Sequence, residues 1–417
     1  MNKMVGLPKY VFAGASLLAF VAPNWSAGAA DLLPPPPQAP MAMDWSGPSI
    51  GFSISNLWGT GTLDAPGVAK LDGLSLNGPA VGLTLGYDYE FAPGLVVGGA
   101  ADLNLSDTRF SMAVPGESLT MRDYANWALR GRLGTEVGPG TLAYGTVGFS
   151  ELIGDASLNG AVNGSSGRQT YNGVVFGLGL ETRFDTNMFA RFEYLHGIYG
   201  RQSYAGGAFG VAPSTDSARF TLVFRPDDSS AGASRPVSGV GWNGAYIGGM
   251  GGWENARATA AGPNGFSVAG IGGSGPEGGV VAGFNWAGQN AIVGVEGEAS
   301  ANSARASLSS PAGAQVQASL PYELAARVRL GAPVAANTML YAAVGGVWTR
   351  ANGLLTVPGA TVSAGQNYAG VQFGLGMETM LTSHIGARIE YLESRYAKQN
   401  YLTPSSGTTQ SGLIYKF

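Results

Sequence analysis

GVVFGLGLETRF, from Gly173 to Phe184, decides the fold. In it Val174, Phe176, Leu178 and Leu180 fall on one side, and Gly173, Gly177, Gly179, Glu181 and Arg183 on the other. An alternation of two is the signature of a β-strand whose faces meet different surroundings. The stretch then returns. GVVFGLGLET (Gly173 to Thr182) reappears as GVQFGLGMET (Gly370 to Thr379), and 370 − 173 = 197. Trp45-Ser46-Gly47 returns as Trp242-Asn243-Gly244, ALRGRLG (Ala128 to Gly134) as AARVRLG (Ala325 to Gly331), and ARFEYL (Ala190 to Leu195) as ARIEYL (Ala387 to Leu392), all at the same offset. A constant offset across separate segments marks a duplicated unit.

The alternation extends to other segments. Ala190, Phe192 and Tyr194 oppose Arg191 and Glu193; Trp127, Leu129 and Leu133 oppose Arg130 and Arg132; Phe220, Leu222 and Phe224 oppose Arg219, Thr221 and Arg225. Each unit reads as eight strands. They begin near Trp45, Gly78, Leu95, Asp123, Thr141, Tyr171, Met188 and Asp216, then near Trp242, Gly275, Ala291, Tyr322, Thr338, Tyr368, Ile385 and Thr408. Short turns such as Ala92-Pro93-Gly94, Gly138-Pro139-Gly140 and Asp185-Thr186-Asn187 alternate with stretches rich in Gly, Ser and Asn. The latter, Leu152 to Thr170 and Thr349 to Asn367 among them, read as long loops. Short turns on one rim and long loops on the other are the habit of membrane barrels, whose strands need about 10 residues to cross.

Composition agrees. Charged residues make up 12% of the 417, Gly contributes 67 and Cys none. Without cysteine there are no disulfides, thiolate metal sites or cysteine nucleophiles. Net charge is −4, or −6 once Lys3 and Lys9 of a leader are removed, which gives no basis for nucleic-acid binding. Lys3, Lys9, the apolar YVFAGASLLAFVA (Tyr10 to Ala22) and the small residues up to Ala30 read as a secretory signal. The expected organisation is a signal peptide (1–29), a Pro-rich periplasmic spacer (30–43), a first barrel unit (44–226), a linker (227–241) and a second barrel unit (242–417). The expected fold is all-β: a transmembrane antiparallel up-and-down β-barrel in the outer membrane of a Gram-negative bacterium. A spanning sheet must close on itself, because lipid offers nothing to free backbone groups. A soluble β-sandwich, the competing fold, gives no reason for the recurring aligned charges or for an aromatic-ended final strand.

The charges opposite the apolar face should share a lumen. The candidates are Arg130, Arg132, Glu181, Arg191 and Glu193 in the first unit, and Arg327, Arg329, Glu378, Arg388 and Glu390 in the second. An eight-stranded barrel is wide enough only to be filled by side chains. The charges therefore read as a polar plug, with a pore-lining ring as the alternative. Inward Gly177, Gly179, Gly374 and Gly376 leave room for larger neighbours. Tyr87, Tyr89, Phe184, Phe224, Phe284, Trp286 and Phe417 fall near short turns, as an interfacial aromatic belt would.

The DLLPPPP stretch, the WSGPSIG and WNGAYIGG openings, the GLGLET and GLGMET strands and the terminal LIYKF resemble the OmpA-type eight-stranded outer-membrane β-barrel family. The small surface porin-like proteins of alpha-proteobacteria are particularly similar. The resemblance implies that the final strand is the insertion signal read by the barrel-assembly machinery, a role that falls by position on Tyr415 and Phe417. Members usually carry one unit, so the duplication allows two tandem eight-stranded barrels or one sixteen-stranded barrel. The linker-like DDSSAGASRPVSGVG (Asp227 to Gly241) favours two.

The sequence offers no enzyme chemistry, no cofactor site and no metal set. His196 and His384 have no counterpart in each other, and Glu296 and Glu298, on one strand face, are more simply lumen partners of arginine than cation ligands. The functional expectation is a structural or surface barrel in contact with outer-membrane lipid and lipopolysaccharide. The alternatives are a passive diffusion porin with a single wide channel, or a loop-mediated binder of an unknown extracellular ligand or host surface.

Overall fold

The computed structural model describes residues 43–67, 69–159, 164–204, 207, 209–226, 241–261 and 267–417. The expected leader, the spacer apart from Met43, and the linker apart from Gly241 lie outside the described residues.

The first repeat forms β1 (Gly47–Ala65), β2 (Ala69–Ala92), β3 (Leu95–Val114), β4 (Glu117–Gly138), β5 (Thr141–Asn159), β6 (Gly164–Arg183), β7 (Met188–Tyr199), β8 (Gln202–Tyr204) and β9 (Phe209–Phe224). The second forms β10 (Gly244–Ala261), β11 (Ser267–Ala287), β12 (Ile292–Asn302), β13 (Arg305–Ser309), β14 (Gln315–Ser319), β15 (Tyr322–Ala335), β16 (Thr338–Val357), β17 (Ala360–Met380), β18 (Ile385–Tyr396) and β19 (Leu402–Lys416). Within each repeat, successive strands pair antiparallel except where β8 and the β13–β14 hairpin intervene. Closure is decided by the first and last strand of each repeat. β1 pairs with β2 on one side and with β9 on the other, from Ile50↔Phe224 to Asp64↔Gly210. β10 likewise pairs with β11 and with β19, from Tyr246↔Lys416 to Ala260↔Leu402. Over most of its length each repeat therefore closes as an eight-stranded ring, with β8 a short addition to the first and β13–β14 a hairpin inserted between β12 and β15 in the second; at the long-hairpin end β3 pairs with β11 and β2 with β13, which joins the two sheets there.

Alternation sets the two faces of each ring. Leu85, Leu103, Leu129, Leu133, Val147 and Leu178 point outward and are about half exposed, as are Val280, Val328, Leu330, Val344, Leu375 and Leu413 in the second ring. Exposed apolar surface on this scale needs a nonaqueous neighbour.

One outward strip is covered instead by the other ring. Thr141 Oγ1 lies 3.0 Å from Thr338 Oγ1. Leu180, Ala190, Phe192 and Ala218 share an apolar cluster with Met377 and Ile389. Further up, Leu74 pairs with Ile271. The pairs 141/338, 180/377, 192/389 and 74/271 are each 197 apart, so residues here meet their own repeat copies. That is the mark of a two-fold axis. Off-axis contacts obey it too. The Asn56 side chain lies against Glu393, and the counterpart pair, Trp253 and His196, is in ring contact at 5.3 Å. β3 pairs with β11 (Ser111↔Ala269) and β2 with β13 (Asp72↔Ser307) in roughly symmetric fashion. Ala190, Phe192 and Tyr194, with the alternation of a lipid-facing strand, thus face protein. Alternation distinguishes outward from inward, not lipid from a second barrel.

The expected long loops are corrected. β5 runs on to Asn159 and β6 starts at Gly164, so most of Leu152–Thr170 is strand; Thr349–Asn367 is a paired hairpin around Pro358 and Gly359. β2, β4, β9, β11, β17 and β19 all begin six to nine residues before the expected starts. Beyond the lipid neither face demands apolar side chains, so the period-two signal fades while the backbone ladder continues.

Candidate functional site

The lumens are where the chain concentrates its chemistry, and each is built in layers from the short-turn end. Trp45 and Trp242, near which the first strand of each unit is expected, precede β1 and β10 and fold under the ring. Gly47 and Gly244 have φ of 131° and 115°, a backbone region open to glycine, and turn the chain from the tryptophan into β1 and β10. Trp45 packs with Met43, Val96, Leu142, Tyr144, Phe189 and Val223. Trp242 packs with Ile292, Met339, Tyr341 and Met380. Both indoles are fully buried. Met43, assigned to the spacer, belongs to the first stopper.

Above the first stopper, Glu181 lies among three guanidiniums: Arg132 at 2.8 Å, Arg191 at 2.8 Å and Arg225 at 2.9 Å. Asp88 bridges Arg132 and Arg225 from the other side. The next layer joins Arg130 to Asp102 (2.6 Å) and Glu193 (3.0 Å), and Arg219 to Asp102 (3.0 Å). All these side chains are buried. Beyond a small cavity, Leu74, Phe110, Leu119, Leu152, Tyr171 and Val211 close the far end as an apolar cap, to which the second repeat contributes Val268.

In the second lumen Glu378 binds Arg388 (2.9 Å) and Arg329 (3.0 Å), and Glu296 binds Arg388 (2.6 Å), Arg329 (3.4 Å) and Arg327. Arg327 also reaches Glu298 at 2.5 Å, while Glu390 accepts from Tyr341 and from Gln410 (2.8 Å). Tyr144 and Tyr341 lie flat beneath these layers because Gly179 and Gly376 carry no Cβ; one added there would sit 2.4 Å and 2.3 Å from the ring.

All ten charged candidates are thus found inside the two rings. Arg219 and Arg225, read on the inward face, and Glu296 and Glu298, read as lumen partners of arginine, join these layers; the partners the sequence reading missed are Asp88 and Asp102 in the first ring and Tyr246 and Gln410 in the second. Their inward parity on β2, β3, β10 and β19 is the available signal. Glu296, Glu298 and Glu390 bring carboxylate oxygens within 4.8 Å of one another, but Arg327 and Gln410 fill the space between them. Tyr415 and Phe417 are exposed at the end of β19, their rings 5.4 Å apart. His196 contacts Asp216 (2.7 Å) between the rings, whereas His384 stacks on Tyr415 at a short turn. At the long-hairpin end, Asp107 is held below the usual carboxylate range by its hydrogen bond from Arg109, with Arg122 beside it. Buried charges paired in this way hold shape.

The family model for the outer membrane protein beta-barrel domain matches twice, over residues 15–224 and 229–417. No curated protein matches the chain. Solved structures with similarity include Ail of Yersinia pestis in complex with the heparin analogue sucrose octasulfate, 10% identical over 41% of this chain and 99% of that one, with a TM-score of 0.27. Neisserial surface protein A is 16% identical over 42% and 97%, with a TM-score of 0.27. The CymD monoaromatic hydrocarbon channel is 10% identical over 89% of each chain, also with a TM-score of 0.27.

Proposed function

Since the chain belongs to the outer membrane protein beta-barrel domain family and resides in the Gram-negative outer membrane, we propose that it is a structural surface protein, two fused OmpA-type barrels with occluded lumens. One observation carries this reading. In the first ring a buried tryptophan stopper, two layers of paired Arg and carboxylate groups, and an apolar cap follow one another across the lumen. A diffusion porin needs a wide aqueous interior; the pairing of β1 with β9 and of β10 with β19 along most of their length supports two narrow lumens instead. No catalytic role is part of the proposal. Its partners are membrane lipid and lipopolysaccharide on the outward apolar faces, and the barrel-assembly machinery, which reads Tyr415 and Phe417 on the last strand.

A second reading has its own support. The β16–β17 hairpin projects beyond the ring with Leu355, Val357 and Val362 exposed, and Tyr401 is exposed nearby. Such a surface suits contact with an extracellular ligand or host surface. Planar-bilayer recording tests the main proposal. The purified protein should give no stable large conductance; a persistent open channel at low voltage refutes it.

A further inference from the structure

The second repeat has one sheet edge that its own chain leaves open. β16 and β17 pair from Thr338↔Thr379 to Val357↔Ala360 without a register shift, so their hairpin is one regular ladder. On its other side β17 pairs with β18 only from Gly370↔Tyr396 toward the short turns. Just beyond, the Ala397 N–H donates to Ala369 O, and the Gln399 side chain meets Gln366 at 2.6 Å and Asn367 O at 2.9 Å. There the cover ends. Among the described residues, 360–365 pair with β16 alone, and all of them are exposed.

An edge of this kind is ordinarily guarded by charge, proline or a bulge. Residues 360–365, Ala-Thr-Val-Ser-Ala-Gly, carry none of these. Their unused N–H and C=O groups form the template that another extended backbone matches.

A row of aliphatic side chains leads to that edge. Cross-strand partners share a face of the sheet. Leu71↔Leu308, Leu308↔Val316, Val316↔Leu355 and Leu355↔Val362 follow one another across five strands and both repeats. Leu71 packs against the apolar cap of the first ring. Leu308, Val316 and Leu355 are about half exposed, and Val362, the last, is 61% exposed. The row is thus covered where it starts and bare where it ends, at the long-hairpin end outside the lipid.

We propose that the β17 edge takes up an extended polypeptide segment of an extracellular partner as an added strand. Main-chain hydrogen bonds to residues 360–365 supply the affinity. An aliphatic residue opposite Val362 continues the row, which favours an uncharged segment with alternating aliphatic and small polar side chains. A second copy in the same membrane fits less well. Rotation about the membrane normal places its aliphatic row on the opposite face of a joined sheet, so the two rows do not meet. The inference rests on the reading of the β16–β17 hairpin as a contact surface.

The test uses the folded full-length protein in detergent. A fluorescein-labelled peptide of alternating threonine and valine, with a lysine at each end, should bind saturably by fluorescence anisotropy. The same peptide with two adjacent central residues replaced by proline should not bind, because the ladder is broken. V362K alters an exposed side chain, should fold as the native protein does, and should weaken peptide binding about fivefold through loss of the cross-strand contact. V362I should retain it. The chain has no cysteine, so V362C gives a second readout. A peptide with cysteine for its central valine should form a mixed disulfide with V362C, and the proline peptide carrying the same cysteine should not. No saturable binding by the native protein overturns the proposal, as does equal binding of the proline peptide or equal binding by V362K. Self-association that V362K abolishes, without peptide binding, assigns the edge to a second copy and overturns it too. Loss of cell adhesion on deleting residues 353–364, with adhesion intact in V362K, would leave the contact-surface reading standing and overturn this one alone.

Discussion

Glu181→Gln and its repeat copy Glu378→Gln make the same chemical change in the same register, yet the structure assigns them different costs. Glu181 accepts from Arg132, Arg191 and Arg225. After its charge is removed, Arg132 and Arg225 keep Asp88. Arg191 keeps no carboxylate within salt-bridge distance among the described residues. A buried cation stripped of its partner costs about 3–5 kcal/mol. Glu378 serves Arg329 and Arg388, and both of these also reach Glu296. E378Q thus weakens charged hydrogen bonds without orphaning a cation, a loss of about 1.5–3 kcal/mol. Reversible urea unfolding in lipid vesicles, followed by tryptophan fluorescence, measures both. The ring carrying the mutation should lose stability in each case, E181Q by the larger amount. If E378Q costs as much as or more than E181Q, or if E181Q is neutral, the lumen charges are not organised as the distances imply.

Two further perturbations probe other parts of the account. The chain has no cysteine, so T141C/T338C introduces a unique pair where the native hydroxyls are 3.0 Å apart. Mild oxidation of the folded protein should close an intramolecular disulfide, seen as a gel shift without dimers; thiols that stay free to a maleimide probe contradict the two-fold contact. Trp242→Ala removes the stopper of the second ring and should destabilise it by about 3–5 kcal/mol, while Arg329, Arg388, Glu296 and Glu378 above it keep the lumen closed to ions. A new conductance in W242A would show that the tryptophan, not the charge layers, is the seal.

Much of the fold was legible because lipid imposes a strict rule. From Val174 to Leu180 every second residue is Val, Phe or Leu, and the repeat at 197 shows the rule twice. The lumen charges were legible for the same reason: Arg130, Arg132, Glu181 and Arg191 occupy positions that the apolar face excludes. Three things were not. Phe192 and Ile389 obey the outward rule whether lipid or the other ring covers them, so the two-fold contact left no trace in the pattern. The strand extensions, such as Gly164–Tyr171, lie beyond the lipid, where alternation has no cause. The tryptophan of each W-x-G motif reads as a strand residue until the positive φ of Gly47 and Gly244 shows the chain turning inward.

Electron microscopy of the protein in lipid nanodiscs, viewed down the membrane normal, bears most directly on the claim of two self-closed barrels. Side-by-side small rings with filled centres are the expected class average. One large ring with an open centre would contradict the pairing of β1 with β9 and of β10 with β19, and with it the rest of the account.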